Sequence, residues 1–178
     1  MKEETVKSVY VYRGKVINLK VDDVKITNGK LAVREVVEHR GAVAILAYKD
    51  GLVWLVKQFR YPYLEELLEI PAGKIEENEN PYHTALRELN EEVGLITDKL
   101  IALGEIYPSP GFANEKIHLY YTVDFEVANN NPDDDEYLEI IKLPLSKALA
   151  LIDKGEIKDA KTIIALLWFQ RKVLNNGK

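Results

Sequence analysis

The 178-residue sequence contains no cysteine and only three histidines. Without cysteine there is no disulfide framework and no thiol nucleophile, so thiol catalysis is excluded. The histidines, His39, His83 and His118, are scattered along the chain, and their spacing argues against a histidine metal site. Any metal-dependent chemistry is therefore expected to rely on oxygen ligands.

The sequence also lacks a long apolar run and an excess of positive charge. No run approaches the ~18 apolar residues of a membrane-spanning helix, and the first ten residues lack the apolar stretch of a signal peptide. The formal net charge is −5, whereas non-specific nucleic-acid binding needs a basic surface. We therefore expect neither a membrane nor a nucleic-acid partner, and a cytoplasmic location is the default.

Hydrophobic residues make up 47% of the chain and charged residues 30%, which is typical of a globular protein with a large core. Period-two patterns predict strands at 6–12, 16–27 and 31–37, with the Asn28-Gly29 pair as a hairpin turn. These strands would form a small antiparallel unit, residues 1–38, that precedes a main domain at 39–178. A small sheet of this kind is marginally stable alone and is expected to pack on another surface.

The main domain mixes strands and helices without regular alternation, and its hairpins imply antiparallel pairs, which predicts an α+β fold. The apolar run at 41–47 predicts a central strand buried on both faces, and a tight loop is expected at 71–74. Asn80 and Asp159 are predicted helix N-caps, and Gly94 is a predicted left-handed C-terminal cap. Further elements are predicted as strands at 52–57, 100–107, 117–125 and 137–143, and as helices at 81–93, 146–154 and 160–173.

The helix at 81–93 has an apolar stripe and a separate acidic face. Glu88, Glu91 and Glu92 project together because positions i, i+3 and i+4 share one helix face. Like charges at this spacing repel each other, and a hard divalent cation such as Mg²⁺ or Mn²⁺ would compensate them. The alternative is a solvated acidic face with no ligand. The apolar stripe contains Tyr82, Ala85, Leu86, Leu89 and Val93.

The acidic residues belong to a longer pattern at fixed spacing. Gly73 is followed after five residues by Glu79, and after seven more by Arg87-Glu88-Leu89-Asn90-Glu91-Glu92-Val93-Gly94-Leu95. Every fixed position resembles the signature of the Nudix hydrolases. The resemblance implies a mixed curved sheet between helices, an α/β/α sandwich, and a Mg²⁺-dependent hydrolase (Mn²⁺ possible) that splits a diphosphate joined to a second moiety.

The resemblance also assigns roles to individual residues. Glu88, Glu91 and Glu92 would bind the metal together with the backbone carbonyl of Ala72, and Glu91 and Glu92 would thereby serve catalysis. Arg60 lies among aromatic residues, which suits binding of phosphate or of a stacked base, because a guanidinium group is a planar donor of two parallel hydrogen bonds. The alternative is a surface arginine without a role in binding.

Two segments outside the signature are similar to the ADP-ribose pyrophosphatase branch of the family. One is Ser109-Pro110-Gly111, which makes Pro110 and Gly111 candidate substrate contacts. The other is the run from Arg34-Glu35-Val36-Val37-Glu38 through Lys57-Gln58-Phe59-Arg60-Tyr61-Pro62. In that branch a glutamate on a loop after the signature acts as base or orients the water, and the matching segment here is the acidic run at 133–139. The resemblance assigns this role to Glu136, with Asp134 as the runner-up and a solvated acidic loop as the alternative. The resemblance further implies a homodimer in which residues 1–38 reach the partner subunit.

These features together predict hydrolysis of ADP-ribose to AMP and ribose 5-phosphate. The first alternative is an enzyme for another nucleotide sugar, such as GDP-mannose, or for a dinucleotide. The second is a nucleotide-sensing module that binds without turnover, although binding alone does not need three clustered carboxylates. Turnover of ADP-ribose with Mg²⁺ separates the two.

Overall fold

The computed structural model describes residues 2–129 and 137–174. The chain divides into two compact units, one made of Met1–Gly41 with Tyr107–Lys116 and one made of Ala42–Ile106 with Ile117–Lys178. Residues 107–116 therefore group with the N-terminal strands, which the sequence did not indicate. The division at 38/39 into an extension and a Nudix domain stays a prediction.

The first unit is built on a three-stranded antiparallel sheet. Its strands are β1 (Glu4–Arg13), β2 (Ile17–Lys25) and β3 (Leu31–His39), paired in the order β1-β2-β3. The predicted hairpin turn is confirmed, because Gly29 has φ 81° and its N–H donates to Ile26 O. Val37 in β3 exchanges hydrogen bonds with Phe112 O and the Asn114 N–H, which attaches residues 107–116 to this sheet.

The second unit contains a seven-stranded mixed sheet with the order β12-β5-β4-β10-β9, in which β6 pairs with β5 and β7 with β4. Strands β4 and β10 are parallel and the other pairs are antiparallel. Strands β8 and β11 form a separate two-stranded ladder. The bounds are β4 Ala42–Lys49, β5 Leu52–Arg60, β6 Glu65–Glu69, β7 Ala72–Lys74, β8 Leu95–Ile96, β9 Ile101–Ile106, β10 Ile117–Thr122, β11 Glu126–Val127 and β12 Leu138–Pro144.

Strands β4 and β5 pair with each other only beside their connecting turn, over Ala47–Lys49 and Leu52–Trp54. Beyond that point β7 pairs with the first residues of β4, and β6 pairs with the second half of β5. The predicted tight loop at 71–74 is therefore wrong. Beyond its pairing with β5, the edge of β4 carries backbone N–H and C=O groups that need hydrogen-bond partners. Residues Ala72–Lys74 form a strand that supplies these partners.

Among its described residues, the second unit has three α-helices: α1 (Pro81–Val93), α2 (Leu145–Asp153) and α3 (Ala160–Phe169). The predicted caps are confirmed, since Asn80 Oδ1 accepts the Tyr82 N–H, Asp159 Oδ2 accepts the Thr162 N–H, and Gly94 has φ 63°. Helix α3 ends earlier than predicted, because Gln170–Leu174 continue as a π-helical turn. Apolar periodicity does not distinguish such a turn from an α-helix.

The core lies on both faces of the sheet, with β4 in the middle. Val43, Ile45 and Ala47 pack in one cluster with the apolar stripe of α1. Ala44 and Leu46 pack in a second cluster with α2 and α3. The predicted doubly buried central strand and the sandwich of helices around a mixed sheet are confirmed. Within residues 2–129 and 137–174, no helix is long and apolar enough to cross a membrane.

Candidate active site

The acidic face of α1 packs against β7 and is largely hidden from solvent. Glu88 and Glu92 are buried, at 9% and 2% exposure, and Glu91 is half-buried. The alternative of a solvated acidic face is therefore wrong for Glu88 and Glu92. Burying two carboxylates next to each other is unfavourable unless polar or cationic groups compensate them. The groups that surround Glu88 and Glu92 must therefore compensate their charges.

Gly73 in β7 leaves the space that the Glu88 carboxylate occupies. A Cβ atom at position 73 would lie 1.9 Å from Cδ and Oε1 of Glu88 and 2.3 Å from Oε2. Any side chain at position 73 would therefore displace Glu88. The glycine that opens the signature is explained by this close approach rather than by a turn.

Glu92 contacts the neighbouring residue of the same strand. Its Oε2 accepts a hydrogen bond of 2.9 Å from the Ala72 N–H. Ala72 faces Ala44, and the Ile45 N–H donates to Pro71 O, so Ala72 is a non-hydrogen-bonded position of this antiparallel pair. The N–H and C=O groups of Ala72 therefore point away from β4, and its carbonyl lies on the same edge as Glu92.

Arg87 connects the remaining signature carboxylates. Its Nη1 lies 2.7 Å from Glu91 Oε2 and 2.9 Å from Glu88 Oε1, while Nε and Nη2 donate to the two oxygens of Glu79 at 3.1 Å. The hydrogen bonds from Arg87 lower the pKa of Glu79 to about 2, and the same pairing raises the pKa of Arg87. Glu79 also accepts the Glu76 N–H, so it braces the loop before α1.

Arg60 stands at the end of β5, where it forms a bidentate pair with Glu69 of β6. The distances are 2.6 Å from Nε to Oε1 and 2.7 Å from Nη2 to Oε2. Glu69 is only 1% exposed, and Lys161 of α3 also binds its Oε2. Burial alone would raise the pKa of Glu69, but Arg60 and Lys161 together hold it below the usual value. The charge of Glu92 contributes to the raised pKa of Arg60, after the larger effect of its hydrogen bond to Glu69.

Sequence reasoning missed Glu69 and Lys161. A signal for Glu69 was present, because a carboxylate that ends the run Leu67-Leu68 and precedes Ile70 is expected to be buried and therefore paired. Lys161 had no comparable signal, since it lies 92 residues away in the chain.

The remaining predicted site residues belong to the first unit or fall outside the described residues. Pro110 and Gly111 belong to the first unit, where the Ala113 N–H donates to Ser109 O and closes a turn around them. Glu136 and Asp134 lie outside the described residues. The structure thus brings together the signature carboxylates, Ala72 and Arg60 in the second unit, and the roles of Pro110, Gly111 and Glu136 stay predictions.

Comparison with known proteins agrees with this geometry. A family model described as the NUDIX domain matches residues 37–166. The chain belongs to the Nudix family. It is 43% identical over 175 residues to an ADP-ribose pyrophosphatase of Bacillus subtilis (strain 168), covering 97% of this chain and 95% of the relative. It is 42% identical over 171 residues to a methanol dehydrogenase activator of Bacillus methanolicus, covering 94% and 92%.

A solved structure of an ADP compounds hydrolase superposes with a TM-score of 0.87 at 23% identity, covering 99% of this chain and 97% of that one. At this identity the likeness shows the fold. The Nudix fold predicted from the signature is therefore confirmed for this chain.

The donor chemistry of this Nudix site fits a hard divalent cation, because carboxylate and carbonyl oxygens are the ligands that Mg²⁺ and Mn²⁺ prefer. In the part of the chain that the structure describes, no three acidic or histidine side chains already converge as a ligand set. The ion pairs explain why, since Glu88 and Glu91 both turn towards Arg87. A cation beside Glu92 would compete with Arg87 for these two carboxylates.

Proposed function

We propose that the chain hydrolyses the diphosphate of ADP-ribose with Mg²⁺, so that water and ADP-ribose give AMP and ribose 5-phosphate. The observation that carries the proposal is the pair of buried carboxylates, Glu88 and Glu92, set against Gly73 and Ala72 of β7. The near full-length similarity to a protein named ADP-ribose pyrophosphatase supports the choice of substrate.

Glu88, Glu91, Glu92 and the carbonyl of Ala72 would hold the cation. Bound there, Mg²⁺ would supply positive charge against the diphosphate and its leaving phosphate. Arg87 would hold Glu88 and Glu91 while no cation is bound, since its Nη1 contacts both. Binding of the cation would therefore require Glu88 and Glu91 to turn from Arg87 towards the side of Glu92.

Two further residues complete the proposed site. Arg60 would bind the diphosphate, because its side chain is 37% exposed beside the buried Glu69. Glu136 would accept a proton from the attacking water, since carboxylates that bind a metal are poor proton acceptors. Pro110 and Gly111 would contact the substrate.

A substrate panel with Mg²⁺ tests the proposal. We expect the highest kcat/KM for ADP-ribose, with AMP and ribose 5-phosphate released in equal amounts and no turnover in excess EDTA. Replacing Mg²⁺ with Mn²⁺ identifies the preferred ion. A higher kcat/KM for GDP-mannose or for a dinucleotide would reassign the substrate, and tight binding of ADP-ribose without turnover would identify a sensing module.

A second candidate function is activation of a dehydrogenase. It is favoured by the 42% identity to a protein named methanol dehydrogenase activator, which is close to the identity with the pyrophosphatase. The test adds the chain to a methanol dehydrogenase assay and compares it with the Glu92→Gln variant. Stimulation by the native chain alone would mean that activation depends on the carboxylate site, and no stimulation by either would remove this candidate.

We also propose that the chain forms a homodimer through its first unit and works in the cytoplasm. All residues of β1 are exposed, and they include side chains with apolar surface on both faces of the strand, such as Val9 on one face and Tyr10 on the other. Exposed apolar groups of this kind mark interaction surfaces. Sedimentation equilibrium should give twice the chain mass, and Val9→Lys with Val11→Glu should give a monomer. A native monomer at micromolar concentration would contradict the dimer.

A further inference from the structure

Arg60 and Lys161 share one buried carboxylate. Arg60 donates hydrogen bonds to both oxygens of Glu69, and the ammonium group of Lys161 also donates to Oε2. The three side chains differ in exposure: 37% for Arg60, 12% for Lys161 and 2% for Glu69. Arg60 is therefore the member of this group that can meet a ligand.

Arg60 and Lys161 face two carboxylates, Glu69 and Asp159, so the four formal charges of the group cancel. Asp159 contacts Lys161 at 3.0 Å, and its other oxygen accepts the Thr162 N–H at 3.0 Å and the Thr162 hydroxyl at 2.6 Å. Asp159 is thus fixed at the N-terminus of α3, where the helix dipole attracts negative charge. Without Lys161 the group would carry a formal charge of −1 beside the exposed guanidinium of Arg60.

The backbone fixes Lys161 relative to Glu69. The hydroxyl of Thr162, next to Lys161 in the chain, accepts the Ile70 N–H at 2.8 Å, and Ile70 follows Glu69 directly. Thr162 is fully buried, so this link between α3 and β6 is shielded from water. This link keeps Lys161 close to the carboxylate that it shares with Arg60.

We propose that Lys161 is a positioning residue for substrate binding: by pairing with both Glu69 and Asp159, it offsets the carboxylate charge beside Arg60 and so keeps the guanidinium able to bind a diphosphate. This proposal rests on the proposed function. Without Lys161, the charges of Glu69 and Asp159 would outweigh that of Arg60, and the group would attract an anionic substrate less strongly. Lys161 would act through Arg60 and not touch the substrate.

The test compares Lys161→Met with Lys158→Met. Lys161→Met leaves the Glu69–Arg60 pair intact, so no buried charge loses its last partner and the fold should survive. Lys158 lies near the same end of α3 and pairs with Glu65 of the same strand β6, at 56% exposure. It therefore serves as a control for the loss of one nearby cation.

We expect Lys161→Met to raise KM for ADP-ribose about tenfold, within the range of couplings in one ion network, with kcat changed by less than about threefold. Lys158→Met should leave both constants unchanged, and Lys161→Arg should restore KM. A double-mutant cycle supplies the decisive readout. In an Arg60→Ala, Glu69→Gln background, which leaves no charged carboxylate at position 69, Lys161→Met should have no further effect on KM.

The outcomes separate this inference from the proposed function. If the native chain does not turn over ADP-ribose, the proposed function fails first. If the native chain is active and Lys161→Met keeps a native KM, or raises KM equally in the Arg60→Ala, Glu69→Gln background, the positioning role is refuted. Thermal unfolding of each variant checks the fold, and Lys161→Gln replaces Lys161→Met if the methionine variant unfolds.

Discussion

A methyl group added to Gly73 tests the packing of the candidate site most simply. Gly73 lies in β7 with a backbone conformation that alanine can adopt, since its φ is not in the left-handed region. The strain of Gly73→Ala would therefore fall on Glu88. The new Cβ would lie 1.9 Å from the carboxylate carbon, whereas ordinary contact begins at 3.4 Å, so the carboxylate must move by about 1.5 Å.

Two consequences of different size follow from this shift. Overpacking costs about 1–3 kcal/mol, and the loss of glycine flexibility in the unfolded chain returns about 0.4–1 kcal/mol. The free energy of unfolding should therefore fall by about 0–2.6 kcal/mol. Activity should fall by about 10²-fold, because this is what misplacing a catalytic group by ~1 Å can cost in rate, and it equals about 2.7 kcal/mol of activation free energy.

The assay is kcat for ADP-ribose with Mg²⁺, together with thermal unfolding without metal. Gly51→Ala is the control, because Gly51 has φ 81° and open space around it, so alanine strains the backbone without touching the site. We expect the control to lose stability and keep its kcat. A native kcat for Gly73→Ala would refute the reasoning, since Glu88 would then work from a displaced position.

Three further predictions concern single carboxylates. Glu92→Gln should not lower the thermal midpoint in EDTA, because the glutamine oxygen still accepts the Ala72 N–H while charge repulsion is relieved; a fall of several degrees would contradict this. Arg87 lowers the pKa of Glu79 from 4.5 to about 2, so the stability lost in Glu79→Gln should be constant above pH 4.5 and vanish as the pH falls towards 2; chemical unfolding at each pH checks the trend. Glu136→Gln should lower kcat by about 10²–10⁴-fold with KM little changed, and Asp134→Asn should do less; the reverse order would exchange the two roles.

Local chemistry explains which parts of the fold could be predicted. The caps Asn80 and Gly94 follow from hydrogen bonds within a few residues of the helix ends, and both were predicted and are confirmed. The core residues Ala85 and Leu89 follow from helical spacing alone, and both are fully buried. These features depend on the neighbouring sequence and hardly on the rest of the fold.

Contacts between distant parts of the chain explain what could not be predicted. Strand β7 has only three residues and forms because β4 offers an open edge, so the segment itself indicated a loop. The role of Gly73 depends on the distance to Glu88, which no spacing rule supplies. The same holds for Glu69 and Lys161, whose contact joins a strand to a helix near the other end of the chain.

The most direct test of the account measures AMP release from ADP-ribose with saturating Mg²⁺, side by side for the native chain and Glu92→Gln. We expect rapid release by the native chain and a loss of more than about 10²-fold in the variant, because ~1.4 kcal/mol of lost charge stabilisation already costs a factor of ten. Near-native release by a folded Glu92→Gln would contradict the claim that the carboxylates between α1 and β7 carry the reaction.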